Sequence, residues 1–486
     1  MGRHHDDDDN NSNWKGYFKC DEMIPPLCDD DLTVTVGRVE TLKGLNVTYW
    51  RYTPSSILEQ QSQRHRHDHP RGSSSSLAET KTSSNHQKFP IIVINGGPGL
   101  PHDFVKPTRN LACDGREIVM YDQAGTGASQ WDQQDNSNGD DDGDASLKYP
   151  QLLTLEYYTQ VELPALLRAL QWDKYHILPE SWGTQIAFAF ATTSSKSNNN
   201  IDINQGLQSL LLNAPIADNH KFIEYQWDPN YGSIGKMPTY LQMQLLHFNA
   251  TQDFDNPEFE QLQEMVESEF NARLGVAVDC WLDTEAAGIA SIDYDPLSGP
   301  TDMFYPPPGT ALRGWSVLDQ LRQLSDRVPV QLNYGGYDMV SPLLIADTAA
   351  AIGGSAVECH EVAQSAHAIL LDAPETVYPY MRDFLQRVEE FVQDNNNRRG
   401  QSPFKSNGSC PVLRDGILYY ENNQSDIPAN KMHHWIVVGN RTILLALVFA
   451  VTSAVSYWVG IKVGSRRNKK YTGRYEQVID LPEHHI

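Results

Sequence analysis

Positive charge is in short supply: 38 Lys and Arg stand against 62 Asp and Glu among 486 residues, a formal net charge of −24. Such a chain repels a phosphate backbone, which excludes nucleic acid as a partner. Cysteine is also scarce. The six, at positions 20, 28, 113, 280, 359 and 410, have neither CxxC spacing nor histidines suited to zinc. Cys20 and Cys28 are near enough in sequence to bridge, and six separate thiols fit the spacing equally well. The acidic stretches at 6–9 and 140–144 lack the spacing and the closing Glu of a calcium loop, so they read as solvated tail and loop and no metal is expected. The first eighteen residues contain no apolar stretch of the kind that forms a secretory leader. Six Asn-x-Ser/Thr triplets, at Asn10, Asn46, Asn249, Asn407, Asn423 and Asn440, permit glycosylation, but in an Asn-rich chain they carry little weight.

What is present is an alternation of short apolar runs with helical patterns. Strands are expected at Leu32–Val36, Asn46–Tyr52, Ile91–Ile94, Glu117–Tyr121, His176–Leu178, Ser209–Leu212, Val330–Asn333 and Val357–Glu361. Leu163, Leu166, Leu167 and Leu170 share one helical face, and residues 185–192 form an apolar helix. This alternation implies a mostly parallel sheet with helices on both faces. Residues 55–88, 132–146 and 193–205 read as polar insertions in surface loops. The organisation expected is an acidic tail (1–31), a first core part (32–216), a mainly helical inserted lid (217–315), a second core part (316–395) and a polar linker (396–441). Thr442–Ile461 then runs 20 residues without a charge, the length of a bilayer core, and a basic tail (462–486) follows. The expectation is one C-terminal transmembrane helix and a single-pass membrane protein in contact with lipid. The side occupied by the remainder is left open between positive-inside bias and tail anchoring.

Chemistry is concentrated in four segments. KYHIL–PESWGT–QIAFAFA has the order strand, tight turn, helix that lifts a nucleophilic Ser above a sheet, and Ser181 is the candidate. Gly183 gives that turn clearance, while Pro179 stands where a small residue is usual. VQLNYGGYD ends in Asp338 and CHEVAQSAH ends in His367, each an apolar strand opening into a turn. The order Ser, Asp, His, each beyond the end of a strand, is that of a catalytic triad: Asp338 orients the imidazole and His367 moves the proton. IIVINGGPG is a strand opening into glycines. It assigns oxyanion donors to Gly97, with Gly96 as neighbour, and to the amide of Trp182. A phosphate-binding loop is excluded, because no Lys-Ser/Thr pair or GxGxxG helix entry follows.

NGGPGLPHDF, YDQAGTGAS, ESWGT and YGGYD together resemble the proline iminopeptidase branch of the α/β-hydrolases over about residues 33–395. So do Tyr294, the GPTD stretch Gly299–Asp302, and Gly309, Thr310 and Trp315. The resemblance implies an α/β-hydrolase fold and an aminopeptidase acting on short peptides or amino-acid amides through an acyl-enzyme on Ser181, without a cofactor. It also implies that Asp302 binds the substrate's free ammonium. Met339 stands where the family often has a second acid, Asn95 replaces its His, Ala128 its Arg and Thr184 its Gly. Two alternatives remain: an amidase or esterase with the same triad and no demand for a free amine, or an inactive hydrolase fold used for binding.

Overall fold

The computed structural model describes residues 20, 28, 31–59, 88–129, 150–193, 203–273, 279–281, 283–284, 294–324, 327–353, 356–397, 404–406 and 409–420. The expected insertions, the basic tail and most of the N-terminal tail therefore lie largely or wholly outside the described residues. The chain divides into two compact units, residues 1–429 and 430–486, and the second contains no described residue.

The first unit is built on an eight-stranded sheet: β1 (Leu32–Leu42), β2 (Leu45–Pro54), β3 (Ile91–Ile94), β4 (Ile118–Tyr121), β5 (Tyr175–Pro179), β6 (Leu207–Asn213), β7 (Val330–Gly335) and β8 (Val357–Val362). Their order is β1-β2-β4-β3-β5-β6-β7-β8. β1, β2 and β4 pair antiparallel, and every pairing from β4 to β8 is parallel. All eight expected strands are present, seven of them within two residues of their expected bounds, while β1 runs six residues further, to Leu42.

Continuous apolar runs such as IIVI and IVMY suit strands covered on both faces. The period of two divides them. Ile92, Ile94, Val119 and Tyr121 enter one core cluster, while Ile91, Val93, Ile118 and Met120 enter the other. The first face is covered by α1 (Leu163–Leu170), α2 (Trp182–Thr192) and α6 (Pro342–Ile352). The second is covered by α7 (Pro374–Asn397) and by the 3₁₀ segment His102–Asp114. Between β6 and β7 lie α3 (Asn219–Gln226), α4 (Thr239–Thr251) and α5 (Pro257–Phe270). The stretch expected to be a polar linker carries a hairpin, β9 (Pro411–Arg414) and β10 (Ile417–Tyr420).

Two expectations are corrected. The cysteines pair as Cys20–Cys280, Cys28–Cys113 and Cys359–Cys410, so Cys20 does not bridge to Cys28. Closeness in sequence is a poor guide here, because the fold brings together half-cystines 260, 85 and 51 residues apart. The single-pass membrane assignment does not stand either: among the described residues no helix is long and apolar enough to cross a membrane. The longest, α7, has 24 residues but carries Glu375, Arg382, Asp383, Arg387, Glu389, Glu390 and Asp394, which a hydrocarbon core would expel. The transmembrane helix expected at 442–461 lies outside the described residues, and lipid as a partner loses its basis with it.

Candidate active site

The candidate residues sit at the carboxyl ends of β3, β5, β7 and β8, where an open α/β sheet presents its ligands. Ser181 joins β5 to α2 with φ 50° and ψ −118°. A non-glycine residue in that region is strained and persists only when its surroundings over-determine it. The surroundings do so. The Ser181 amide donates to the Asn213 carbonyl at 3.0 Å, and its carbonyl accepts from the Thr184 amide at 2.8 Å and the Thr184 hydroxyl at 2.5 Å. The same hydroxyl accepts from the Ile216 amide at 2.9 Å, so Thr184 ties the turn to the segment after β6. Gly183 cannot be larger, because a Cβ there would lie 2.5 Å from the Ile94 carbonyl oxygen. Pro179 does not obstruct the turn: it closes β5 in register with Ile94 of β3.

Asp338 and His367 come together across β7 and β8. His367 Nδ1 lies 2.7 Å from Asp338 Oδ1, and the two residues are 2 % and 6 % exposed. The same carboxyl accepts from the amides of Val340 at 2.8 Å and Gly335 at 3.3 Å. The imidazole is positioned from outside as well. The His367 amide donates to the Phe270 carbonyl, at the end of α5, at 2.9 Å, and the Ala368 amide donates to the Asn271 carbonyl at 2.7 Å.

The glycine turn after β3 lies against the serine: a Cβ on Gly96 would fall 3.2 Å from the Ser181 Cβ. Gly97 has φ 123°, a conformation that an L side chain rarely adopts. Trp182 is the first residue of α2, so its N–H has no carbonyl a turn earlier within the helix. A relay of side chains holds the two halves in register. The Trp182 indole donates to Gln123 Oε1 at 2.9 Å, and Gln123 Nε2 donates to the Asn95 carbonyl at 2.9 Å. Asn95, which stands in place of the family's His, donates its own amide to the Leu100 carbonyl. Next to this turn, His102 is stacked on Trp50 and its Nδ1 lies 2.8 Å from Asp122 Oδ1. Burial would lower the His102 pKa, but the carboxylates of Asp122 and Asp103 override it and raise it.

Asp302 is exposed and lies within electrostatic reach of His367. The protein atoms crowded around its carboxyl displace water and push its pKa up, and the His367 imidazole pulls it back down. Its backbone is pinned by α3: Gln226 Nε2 donates to the Asp302 carbonyl at 2.8 Å and the Trp227 indole to the Met303 carbonyl at 2.9 Å. The sequence reading missed Glu267 on α5, which belongs to no motif. Burial, then the charges of Asp302 and Glu264, push its pKa up to about 7, against the Gln263 amide that donates to it at 2.8 Å. Met339, at the position where an acid was sought, is 3 % exposed and packs in the core. Two further buried acids were also missed. Glu180, beside the serine, is raised well above the carboxylate range by burial and by Asp338. Glu162 is pushed by burial to about 8 and accepts from the Ala124 amide at 2.9 Å. Both belong to apolar-looking stretches and leave no mark on the period. Among the described residues no group of His, Cys, Asp and Glu is arranged to hold a metal.

No family model matches the chain. Proline iminopeptidase from Lactobacillus helveticus is 26% identical over 265 residues, 53% of this chain and 76% of that protein. The proline iminopeptidase of Heyndrickxia coagulans is 25% identical over 311 residues, 63% of this chain and 94% of that one. Among solved structures, a proline iminopeptidase from Mycobacterium smegmatis superposes with a TM-score of 0.54 at 22% identity, covering 74% of this chain and 100% of its own. The sheet order, the sequence relatives and this structural likeness agree: the chain is a hydrolase of the α/β-hydrolase fold, and the curated proteins it is similar to are proline iminopeptidases.

Proposed function

We propose that this hydrolase is a serine aminopeptidase of the proline iminopeptidase type, which releases N-terminal residues from short peptides or amino-acid amides. The observation that carries the reading is the buried His367–Asp338 contact of 2.7 Å beyond the same sheet edge as the strained Ser181. In this reading His367 takes the proton of the Ser181 hydroxyl as that oxygen attacks the first carbonyl carbon. It returns the proton to the leaving amine, and water then repeats the sequence on the acyl-enzyme. Asp338 keeps its charge, fixes the imidazole tautomer and stabilises the imidazolium. The amides of Gly97 and Trp182, with Gly96 giving clearance, receive the oxyanion. No metal or organic cofactor has a step in this scheme.

The helices between β6 and β7 act as the lid over this site. The Asp302 charge helps to raise the Glu267 pKa, and an ammonium placed between the two carboxyl groups would relieve that repulsion. Glu267 would thereby supply the second carboxylate that position 339 does not. An amidase or esterase indifferent to a free amine is the competing reading, favoured by Met339. A purely binding role has less support, because Ser181 keeps its strained turn in spite of Pro179.

The test compares the full chain with Ser181→Ala on prolyl and alanyl arylamides, their N-acetylated forms and a small ester. Cleavage of the free-amine substrates alone, abolished by Ser181→Ala, is the expected result. Equal cleavage of acetylated substrates and esters assigns the amidase or esterase reading. A folded protein inert toward all of them would sink the enzymatic one.

A further inference from the structure

Two disulfides, at Cys20 and Cys28, tie the N-terminal part of the chain to distant parts of the fold. Cys28 is bonded to Cys113, at the end of the 3₁₀ segment that follows the glycine turn, and Cys20 to Cys280, in the chain between β6 and β7. Next to Cys280 stands Trp281, which is 7 % exposed and whose indole N–H is buried with no hydrogen-bond partner. Indole donors are normally satisfied when buried, and leaving one orphaned is costly. A covalent bond at the preceding residue, to a cysteine only 3 % exposed, adds to the packing that keeps this ring inward.

What Trp281 touches gives the constraint a purpose. Its ring meets Phe104 edge-on, with centroids 5.4 Å apart at 75°. The tip of the Phe104 ring lies 3.3 Å from where a Cβ on Gly96 would stand, and the Ser181 Cβ is 3.2 Å from that same point. Ala272 and Ala368, next to Asn271 and His367, belong to the same apolar cluster as Cys20, Phe104, Cys280 and Trp281. A line of contacts thus runs from the Cys20–Cys280 bond through Trp281 and Phe104 to the back of the turn that carries the candidate oxyanion donors.

We propose that Trp281 is a positioning residue for the oxyanion loop. Held inward by the Cys20–Cys280 bond, it buttresses Phe104 and keeps the Gly96–Gly97 turn at its distance from Ser181. The inference rests on the reading of Ser181 as nucleophile and of that turn as the oxyanion donor. Trp281 itself touches neither substrate nor reacting atoms. Its ring is what acts, and its N–H is a cost accepted for the position.

The experiment uses the full chain with five variants: Ser181→Ala, Cys20→Ser, Cys280→Ser, Trp281→Ala and Trp281→Phe. Each is followed by labelling with a fluorophosphonate, by kcat and KM on the best arylamide, by thermal unfolding and by tryptophan emission. Removing either half-cystine, or the ring, is expected to lower kcat about 10- to 100-fold with KM changed less than about threefold, since small displacements of donors act on the transition state. Both cysteine variants should shift tryptophan emission to the red as the indole reaches water. Trp281→Phe keeps the ring and removes the orphan donor, so it should retain kcat and unfold at a higher temperature than wild type. Wild-type kcat in Cys280→Ser and Trp281→Ala, whatever their melting temperatures, would overturn the proposal, as would a loss in Trp281→Phe equal to that in Trp281→Ala. The two Trp281 variants leave the disulfide intact and answer the question even if the cysteine variants do not fold. If instead wild type is neither labelled nor active, or Ser181→Ala keeps both properties, the functional reading has failed and not the buttress.

Discussion

Asp338 and Asp302 are both carboxylates close to His367, and they are held in opposite ways. Asp338 is 6 % exposed, and its oxygens accept from the His367 ring and from the Val340 and Gly335 amides. Asp302 is exposed, is pinned by its backbone rather than its carboxyl, and faces a second acid, Glu267. A carboxylate already satisfied by fixed donors serves as a permanent part of the machinery. One that meets another negative charge is suited to a partner that arrives with the substrate. The same side chain is thus made a component or a receptor by what surrounds it.

The sharpest test of this contrast is a pair of amide substitutions. Asp338→Asn should cost about 10⁴-fold in kcat, because the amide fixes the wrong imidazole tautomer, with little change in KM. Asp302→Asn should leave kcat on acetylated substrates untouched and raise KM for free-amine substrates about 10- to 100-fold, the worth of one charge-assisted hydrogen bond. Steady-state kinetics on both substrate classes would merge the two roles if the variants behaved alike.

Turning a glycine into a source of conflict gives the next effect. Gly183→Ala places a Cβ against the Ile94 and Asn95 carbonyl oxygens, at 2.5 and 2.8 Å. It should destabilise by about 2 kcal/mol or more in urea titrations, since the obstacle is backbone that cannot move aside.

A gentler probe is pH. Glu267 titrates near 7, so kcat/KM for free-amine substrates should rise as pH passes through that value and the second carboxylate ionises. In Glu267→Gln this limb should disappear while the response of acetylated substrates stays as it was. Stability should show a separate dependence through Glu162, whose pKa is raised from 4.5 to about 8. Between those values the unfolded chain has lost a proton that the folded one keeps, so stability falls as pH rises from about 4.5 to 8 and levels off above. Glu162→Gln should flatten that slope and leave the protein more stable than wild type at pH 8, by at least about 1.4 kcal/mol, the worth of one pKa unit. Melting curves across the range measure it.

The sheet and the order of the candidate triad were legible in the sequence because they rest on local signals. Apolar runs such as IIVI and IVMY specify strands buried on both faces. PESWGT, GGYD and QSAH each place one reactive residue beyond one strand. Chain order then brings Asp338 to His367, because β7 and β8 are neighbours in the sheet. The glycine turn was readable for the same reason, since NGGPG states its backbone requirement directly.

What the sequence could not disclose depends on partners distant along the chain. Cys20 chooses Cys280 over Cys28 only when the region between β6 and β7 has returned to the N-terminus. Glu267 becomes interesting only when α5 and the Asp302 segment meet, and no spacing within α5 announces that meeting. The membrane expectation came from hydropathy along one segment alone, which lies outside the described residues, and among those described no helix is long and apolar enough to cross a bilayer. By itself the sequence determined the strands, the turn that strains Ser181 and the order Ser, Asp, His, because each is a property of adjacent residues. The tertiary structure alone decided which acids share a charge and which cysteines share a bond, because both depend on distances that only packing sets.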